Sequence, residues 1–418
     1  RLGMGALYEN TTGNLNTAVG YRSLNANTTA DGNVAVGEKA MLLNTTGDAN
    51  TAVGTKALYS NTTGANNTVT GAFSLFANTT GTENTAVGKN VLSTNTTGSY
   101  NVGVGNYALN SNITGDNNVA VGLNALNKNT NDNNTAIGHD AMKENTSGGG
   151  NTAVGNRSLS YNTTGSANSA FGKEALTNST TSMRNTAIGY YAMRAVTTGS
   201  NNTAIGKDAL MTNQTGNNNT ALGYRSLEVN TANNNTAVGY KSLLANTSAA
   251  AVTGVGYQAL AANTTGAENT AVGSSALGAN ITGGQNTAMG AYALVANTTG
   301  SDNVAIGKNV LSTNTSGGSN VAVGNYSLNL NATGGNNTAI GFYALGKNTA
   351  SDGTAVGISA LKENTTGDAN TAVGANALEK NTTGNANTAS GYNALNFNLT
   401  GHNNAATGYK ALKTNTTG

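Results

Sequence analysis

Tyrosine and basic residues are the side chains in this sequence whose spacing could support binding chemistry. They recur at the first two positions after a glycine that returns every 16 or 17 residues. An array of rings and cations at fixed spacing is typical of a many-copy contact surface, in which avidity replaces single-site affinity. A solvated turn that accepts any amphipathic residue is the other interpretation, and both stay open. The tyrosines are Tyr21, Tyr107, Tyr190, Tyr191, Tyr224, Tyr240, Tyr257, Tyr292, Tyr326, Tyr343, Tyr392 and Tyr409, and the basic residues are Arg22, Lys39, Lys56, Lys89, Arg157, Lys173, Lys207, Arg225, Lys241, Lys308 and Lys410.

The remaining polar residues give little support to catalytic or metal-binding chemistry. The chain has two histidines, His139 and His402, which lie far apart in the sequence, and it has no cysteine. Calcium needs several converging oxygen ligands and glycoside hydrolysis needs paired carboxylates, whereas the 18 carboxylates here are scattered. We therefore predict no enzyme activity, no catalytic residue, no metal site and no cofactor. Gly103-Val104-Gly105 and Gly254-Val255-Gly256 resemble nucleotide fingerprints only faintly, because no helix is expected to follow them.

Composition lowers the priority of two other classes of partner. With 20 basic and 18 acidic residues the net charge is +2, which offers no electrostatic footprint for nucleic acid or an anionic membrane. No apolar run approaches the roughly 18 residues of a transmembrane span, so we expect no membrane insertion in this segment. The sequence opens at Arg1 without a signal peptide, and we expect a fragment of a longer chain whose terminal caps and anchor lie elsewhere.

One repeat unit accounts for the whole sequence. Its pattern is Gly-x-x-(Ala/Ser)-Leu-x-x-Asn-Thr-Thr-Gly-x-x-Asn-Thr-Ala-Val, and the leading glycine recurs from Gly3 to Gly408 in 24 steps, of which 21 are 17 residues long and three are 16. Positions in the unit are numbered below from this glycine. Each short step loses its residue between positions 8 and 13, which marks a turn. Residues 1–418 are therefore predicted to form a single continuous repeat array.

The apolar pattern predicts an all-β fold. Thr-x-Val before the glycine alternates as a short strand does, and position 5 is Leu or Met in every unit. Helices are disfavoured by the density of Gly, Asn, Thr and Val, and hairpins by the absence of Asn-Gly. We predict a parallel β-solenoid or β-roll of about 25 coils of 17, occasionally 16, residues, with two short strands per coil and like residues stacked in rows.

The predicted interior is a row of Leu and Met facing a row of Val and Ile. Position 16, which is Ala in most units, is then expected on the outward face of the strand, as in Ala18 and Ala35. Two large apolar side chains per coil bury little surface, and a smooth Ala face could approach another backbone. We therefore expect several chains, most simply a homotrimer, with a single-chain solenoid as the alternative.

The Asn-Thr-Thr stretch has two interpretations. It is an N-glycosylation sequon if the chain is made where that enzyme works, and it could equally be a ladder of stacked amides, with the glycine at position 11 adopting a positive φ. The short units keep Asn129, Asn230 and Asn348 but lose the third-position hydroxyl, which favours the ladder. The sequon asparagines include Asn10, Asn27, Asn44, Asn61, Asn78, Asn95, Asn263, Asn297, Asn364, Asn381 and Asn415.

The strand motif resembles the head repeats of trimeric autotransporter adhesins. Asn303-Val304-Ala305-Ile306-Gly307 and the many Asn-Thr-Ala-Val-Gly copies carry this resemblance, and the full unit is similar to repeat arrays of phage tail-fibre-like proteins that end in a self-cleaving chaperone domain. The resemblance implies a trimeric left-handed β-roll displayed outside a cell or on a virion and used for attachment. The unit here is longer than the adhesin head repeat.

The expected function is that of an extracellular fibrous protein that mediates attachment through multivalent surface contacts. The expected partners are further copies of the chain, as a homotrimer or filament, and glycans or other cell-surface polymers. A purely structural filament or sheath without a specific receptor would show the same repeat. An ice-binding protein also stacks threonines on a flat face, but the paired threonines at positions 9 and 10 lead into a turn of variable length, which disfavours it.

Overall fold

The computed structural model describes residues 2–418 and confirms the predicted parallel β-solenoid. It contains two compact units, residues 1–215 and 216–418, and both are built from the same coil. Each coil carries a strand of three residues at positions 15 to 17, followed by the glycine of the next coil. Within each unit every strand pairs in parallel with the strand of the following coil, as Thr17–Val19 does with Val34–Val36.

Twelve strands belong to each unit. In the first unit they are β1 Thr17–Val19, β2 Val34–Val36, β3 Thr51–Val53, β4 Thr68–Thr70, β5 Thr85–Val87, β6 Val102–Val104, β7 Val119–Val121, β8 Thr135–Ile137, β9 Thr152–Val154, β10 Ser169–Phe171, β11 Thr186–Ile188 and β12 Thr203–Ile205. In the second unit they are β13 Thr220–Leu222, β14 Thr236–Val238, β15 Thr253–Val255, β16 Thr270–Val272, β17 Thr287–Met289, β18 Val304–Ile306, β19 Val321–Val323, β20 Thr338–Ile340, β21 Thr354–Val356, β22 Thr371–Val373, β23 Thr388–Ser390 and β24 Ala405–Thr407.

The short coils keep the strands in register. Val119 pairs with Thr135 and Thr338 pairs with Thr354, so the 16-residue step leaves the strand row unbroken. The missing residue is absorbed in the turn at positions 8 to 13, as the sequence predicted.

The prediction of two strands per coil is wrong, because the Leu segment is a turn. Leu24 has a φ of 49° and Arg22, two residues earlier, has a φ of 52°. Left-handed residues cannot continue an extended strand. The segment is still tied to the next coil, since the Leu24 amide donates to the Ala40 carbonyl at 2.9 Å. Backbone pairing between coils therefore extends beyond the strands.

The strand faces the opposite way from the prediction. Ala18, Ala35 and their counterparts at position 16 are fully buried, whereas Val53 and Ile137 at position 17 expose 37% and 41% of their surface. The buried rows are position 16, which is mostly Ala, the Leu or Met of position 5, the residue of position 4 and the asparagines of positions 8 and 14. The outward Ala face on which three chains were expected is thus absent.

The predicted asparagine ladder is confirmed. The Asn61 side-chain amide donates to Asn44 Oδ1 at 2.7 Å in the preceding coil and to the Gly64 carbonyl at 2.8 Å in its own coil. Position 14 forms a second ladder, in which the Asn67 backbone amide donates to Asn50 Oδ1 at 2.9 Å. Buried amides with partners on both sides fix the stacking of the coils, because an unpaired buried amide is costly.

This burial argues against the sequon interpretation. A glycan attached to Nδ2 would remove these hydrogen bonds and has no space beside the next coil. Asn10 and Asn415 are partly exposed. The fully buried sequon asparagines are Asn27, Asn44, Asn61, Asn78, Asn95, Asn263, Asn297, Asn364 and Asn381.

Two glycine rows have separate causes. Position 1 combines a left-handed backbone with a close approach: Gly155 has a φ of +135°, and an added Cβ would lie 2.5 Å from the Gly172 carbonyl oxygen. Position 11 was expected to need a positive φ, and this is wrong. At Gly47, a representative of that row, the φ is not positive, but a Cβ would collide with the Gly64 carbonyl of the next coil.

The extra glycines at position 16 lie against side chains of position 4. Val91 occupies position 4, where most other coils have Ala or Ser, and its Cγ1 fills the space that a Cβ on Gly103 would need. At Gly254 the Ser242 hydroxyl takes that space and donates to the Gly254 carbonyl at 2.8 Å. These contacts do not by themselves require glycine, because another coil holds Val310 at position 4 together with Ala322 at position 16.

Candidate functional site

The turn after each strand carries the tyrosines and basic residues singled out in the sequence. We call positions 2 and 3 of all coils the turn surface. Position 2 is exposed, as at Tyr21 and Tyr240, and position 3 is mostly half-buried with a left-handed backbone, as at Lys39 and Tyr343. The Lys39 amide donates to the Tyr21 carbonyl of the preceding coil at 2.8 Å. This pairing holds successive turns in line and fixes where the side chains emerge.

The longest aromatic row lies in the second unit. Tyr224, Tyr240 and Tyr257 stack with centroids 5.4 Å apart at both steps and with interplanar angles of 19° and 6°. The Lys241 ammonium lies 5.1 Å from the Tyr240 centroid. Beside them Arg225 pairs with Glu228, with Nη2 donating to Oε1 at 3.1 Å. Because the ring faces cover one another, the row offers ring edges and phenol hydroxyls to solvent.

A different cluster forms in the first unit. The Tyr190 ring has the Lys173 ammonium at 5.7 Å and the Lys207 ammonium at 5.8 Å. Tyr190 lies against Tyr191 with centroids 3.8 Å apart, and the Arg194 guanidinium stands 4.6 Å from the Tyr191 centroid. Three cations therefore surround two rings, an arrangement that cation–π attraction stabilises.

Smaller groups complete the turn surface. Tyr21 has Arg22 at 5.7 Å and Lys39 at 5.9 Å, and Lys56 lies 5.4 Å from Phe73. In the second unit Tyr326 stacks on Tyr343 at 4.9 Å, and Tyr392 stacks on Tyr409 at 5.6 Å beside Lys410.

Other predicted members stand apart from these clusters. Tyr107 and Tyr292 are exposed and make no ring contact among residues 2–418. Arg157 bonds Tyr161 of its own coil at 3.1 Å. Lys89 and Lys308 sit in solvent at equivalent turns. The structure thus places every candidate on the turn surface but joins them into separate patches instead of one uninterrupted stripe.

Sequence reasoning missed the contribution of position 6. Arg194, Glu228 and Lys362 lie there, directly after the buried leucine, and each reaches back to a residue of position 3 in its own coil or a neighbouring one. The signal was available, because a residue three positions beyond position 3 returns to the same side of a tight turn. The prediction from the sequence covered only positions 2 and 3 and therefore left out position 6.

Two groups of the turn surface have a shifted pKa. A hydrogen bond with Tyr190, together with burial and the nearby Glu174, raises the pKa of Tyr191, so its phenol stays neutral. A hydrogen bond with Tyr409 raises the pKa of Lys410, so its ammonium stays charged.

No group of three metal-ligating side chains occurs among residues 2–418. His139 lies in the first unit near Asp140, with Nδ1 3.6 Å from Oδ2, and His402 in the second unit accepts a hydrogen bond from the Asn385 amide. The described part of the chain contains no helix and hence no helix able to cross a membrane. The chain matches no protein-family model and no curated protein.

Proposed function

We propose that this protein is an extracellular fibrous protein that attaches to surface polymers through many weak contacts made by the turn surface. The observation that carries the proposal is the Tyr224, Tyr240 and Tyr257 row, which repeats a phenol hydroxyl once per coil beside the Lys241 cation. Hydroxyls and cations at a fixed spacing suit a polymer whose own groups repeat, such as a polyhydroxylated or anionic glycan. Binding at several coils at once multiplies modest single affinities.

The proposal includes assembly and display as well. Association of copies as a homotrimer or filament would increase the number of turn surfaces in one particle, and display on a cell or virion would bring them to their target. The resemblance of the repeat to adhesin heads supports this part of the proposal. The mass of the native particle by light scattering tests it: a single-chain mass at working concentrations would remove the assembly.

Replacing the aromatic row tests the attachment. The variant Tyr224→Ser with Tyr240→Ser and Tyr257→Ser removes rings and hydroxyls together, and we expect binding to immobilised anionic and neutral polysaccharides to fall at least about tenfold, because loss of a multivalent row removes avidity. The matched Tyr→Phe triple keeps the stacked rings, so its binding reports the hydroxyls alone. Tyr100→Ser changes an exposed tyrosine outside the turn surface and serves as the control.

The alternative is a filament without a receptor. The stacked rings contact each other and Arg225 pairs with Glu228. In this alternative, these contacts serve only to hold the turns together. If the Ser triple binds polysaccharide as well as the unchanged chain but unfolds at lower denaturant concentration, the turn surface is structural and the attachment proposal fails.

A further inference from the structure

The outward side of the strands carries a row of hydroxyl groups. Because Ala of position 16 points inward, positions 15 and 17 point out, and threonine dominates position 15. Runs of five consecutive hydroxyls occur in each unit, and the strand pairings keep them in register. In the first unit they are Thr135, Thr152, Ser169, Thr186 and Thr203, and in the second they are Thr220, Thr236, Thr253, Thr270 and Thr287.

These hydroxyls differ from the other threonine row. At position 9 the threonine hydroxyl donates a hydrogen bond to a backbone carbonyl of the next coil, as Thr264 Oγ1 does to the Ile281 carbonyl at 3.0 Å. None of the ten strand hydroxyls bonds another protein group among residues 2–418. These hydroxyls are therefore left to bond water, and the strand pairings place them at equivalent positions in successive coils.

The spacing of the row fits a continuous line of water. Successive parallel strands lie about 4.8 Å apart. Two oxygens bonded to one water at about 2.8 Å with a tetrahedral angle lie about 4.6 Å apart. One water can thus bridge each pair of neighbouring threonines with little distortion, and the bridged row reproduces the second-neighbour separation of tetrahedral ice.

The surroundings of the row preserve that order. No charged residue occurs in any of the 24 strands, so no ion imposes its own hydration on the face. Position 17 adds a parallel row of half-exposed apolar groups, such as Ile188 and Val255, against which water arranges with restricted orientation. Alternating hydroxyl and methyl rows on an uncharged sheet are suited to a crystalline, neutral partner.

We propose that the outward face of the strands binds ice. A second copy of the chain is the competing occupant. Ice is favoured because the hydroxyls recur about 4.8 Å apart and because the strands contain no charged residue that could pair with a protein partner. The face differs from the Thr-Thr turn considered in the sequence, since it contains no residue from the segment whose length varies.

Thermal hysteresis and enrichment of the chain in a slowly grown ice fraction test the proposal. We expect both for the unchanged chain, and we expect their loss in the variant Thr152→Lys, Thr186→Lys, Thr253→Lys, Thr270→Lys. The control places the same four charges on exposed threonines of position 10, as Thr164→Lys, Thr181→Lys, Thr265→Lys and Thr282→Lys, and should retain both activities. Equal melting temperatures would show that both variants fold.

Three outcomes overturn the proposal. The unchanged chain could show neither hysteresis nor enrichment in ice. The strand and turn variants could lose activity equally, which would make added charge the cause. Finally, the unchanged chain could sediment as an oligomer that the strand variant dissociates, without affinity for ice, and the face would then join copies of the chain. These results are independent of the polysaccharide assay, because the turn surface is unchanged in the strand variant.

Discussion

The inward and outward sides of the coil follow different rules. Inward rows are nearly uniform: Leu or Met at position 5, Asn at positions 8 and 14, and a small residue at position 16, all buried. Outward rows change freely between coils, from Val to Phe, Met or Ser at position 17 alone. The comparison shows that this fold is specified by close-packed small residues and paired amides, and that its large β-branched residues mainly cover the outside.

The largest effect is expected where backbone approaches backbone. Gly155→Ala places a Cβ 2.5 Å from the Gly172 carbonyl oxygen at a φ of +135°, and we expect at least about 3 kcal/mol of lost stability in chemical denaturation. Gly150→Ala, five residues earlier, is the control, because its φ is +67° and nothing lies within 4 Å. It should cost about 1 to 2 kcal/mol. Equal losses would mean that inter-coil contact is not the constraint.

Adjacent residues on the two faces of β11 give the next test. Ala187 is buried and Ile188 is 39% exposed. We expect Ala187→Leu to destabilise the protein by about 1 to 3 kcal/mol through overpacking, and Ile188→Ala to cost under about 1 kcal/mol since only part of its side chain is covered. Unfolding midpoints in urea measure both. A larger loss of stability for Ile188→Ala than for Ala187→Leu would favour the orientation predicted from the sequence, with position 17 inside and position 16 outside.

The smallest effect concerns an outward ion pair. The hydrogen bond and charge of Lys347, whose Nζ lies 2.6 Å from Glu363 Oε2, hold the pKa of Glu363 below its ordinary 4.5. A lowered pKa contributes stability above about pH 4.5 that is lost as pH falls through the folded value. The pair is largely solvated, so Lys347→Met should remove only a few tenths of a kcal/mol at pH 7 and nothing at pH 2.

The control for that measurement is Lys308→Met, because Lys308 makes no ion pair among residues 2–418. Its unfolding free energy should be unchanged at both pH values. A loss at pH 2 in the Lys347 variant would show that packing of the lysine stem, and not its charge, supports the turn.

Much of the coil was predictable from spacing. The period, the Leu row, the amide ladder and the turn that absorbs deletions all follow from residues that recur at fixed positions. Spacing could not predict which face of the strand points inward, because a three-residue Thr-Ala-Val segment alternates equally well in either orientation. The burial of Ala18 together with Leu24 is a property of the folded coil.

The turn surface was predictable as a location but not as a contact pattern. Recurrence at positions 2 and 3 placed Tyr240 and Lys241 side by side. Stacking of Tyr224 on Tyr240 depends on which residues the neighbouring coils have at these positions. The contact of the Arg194 guanidinium with the Tyr191 ring depends on the left-handed backbone at Tyr191. Left-handed tyrosine and leucine are rare enough that no general preference predicts them.

The in-register step across the short coils has a genetic consequence. Since each coil meets its neighbours through the same glycine, asparagine and alanine contacts, the junction left after a whole repeat is excised matches the one that preceded it. Recombination between misaligned copies can therefore lengthen or trim the gene without inventing a new fit between neighbours. The identical stretches Lys89–Asn95 and Lys308–Asn314 are consistent with such an exchange.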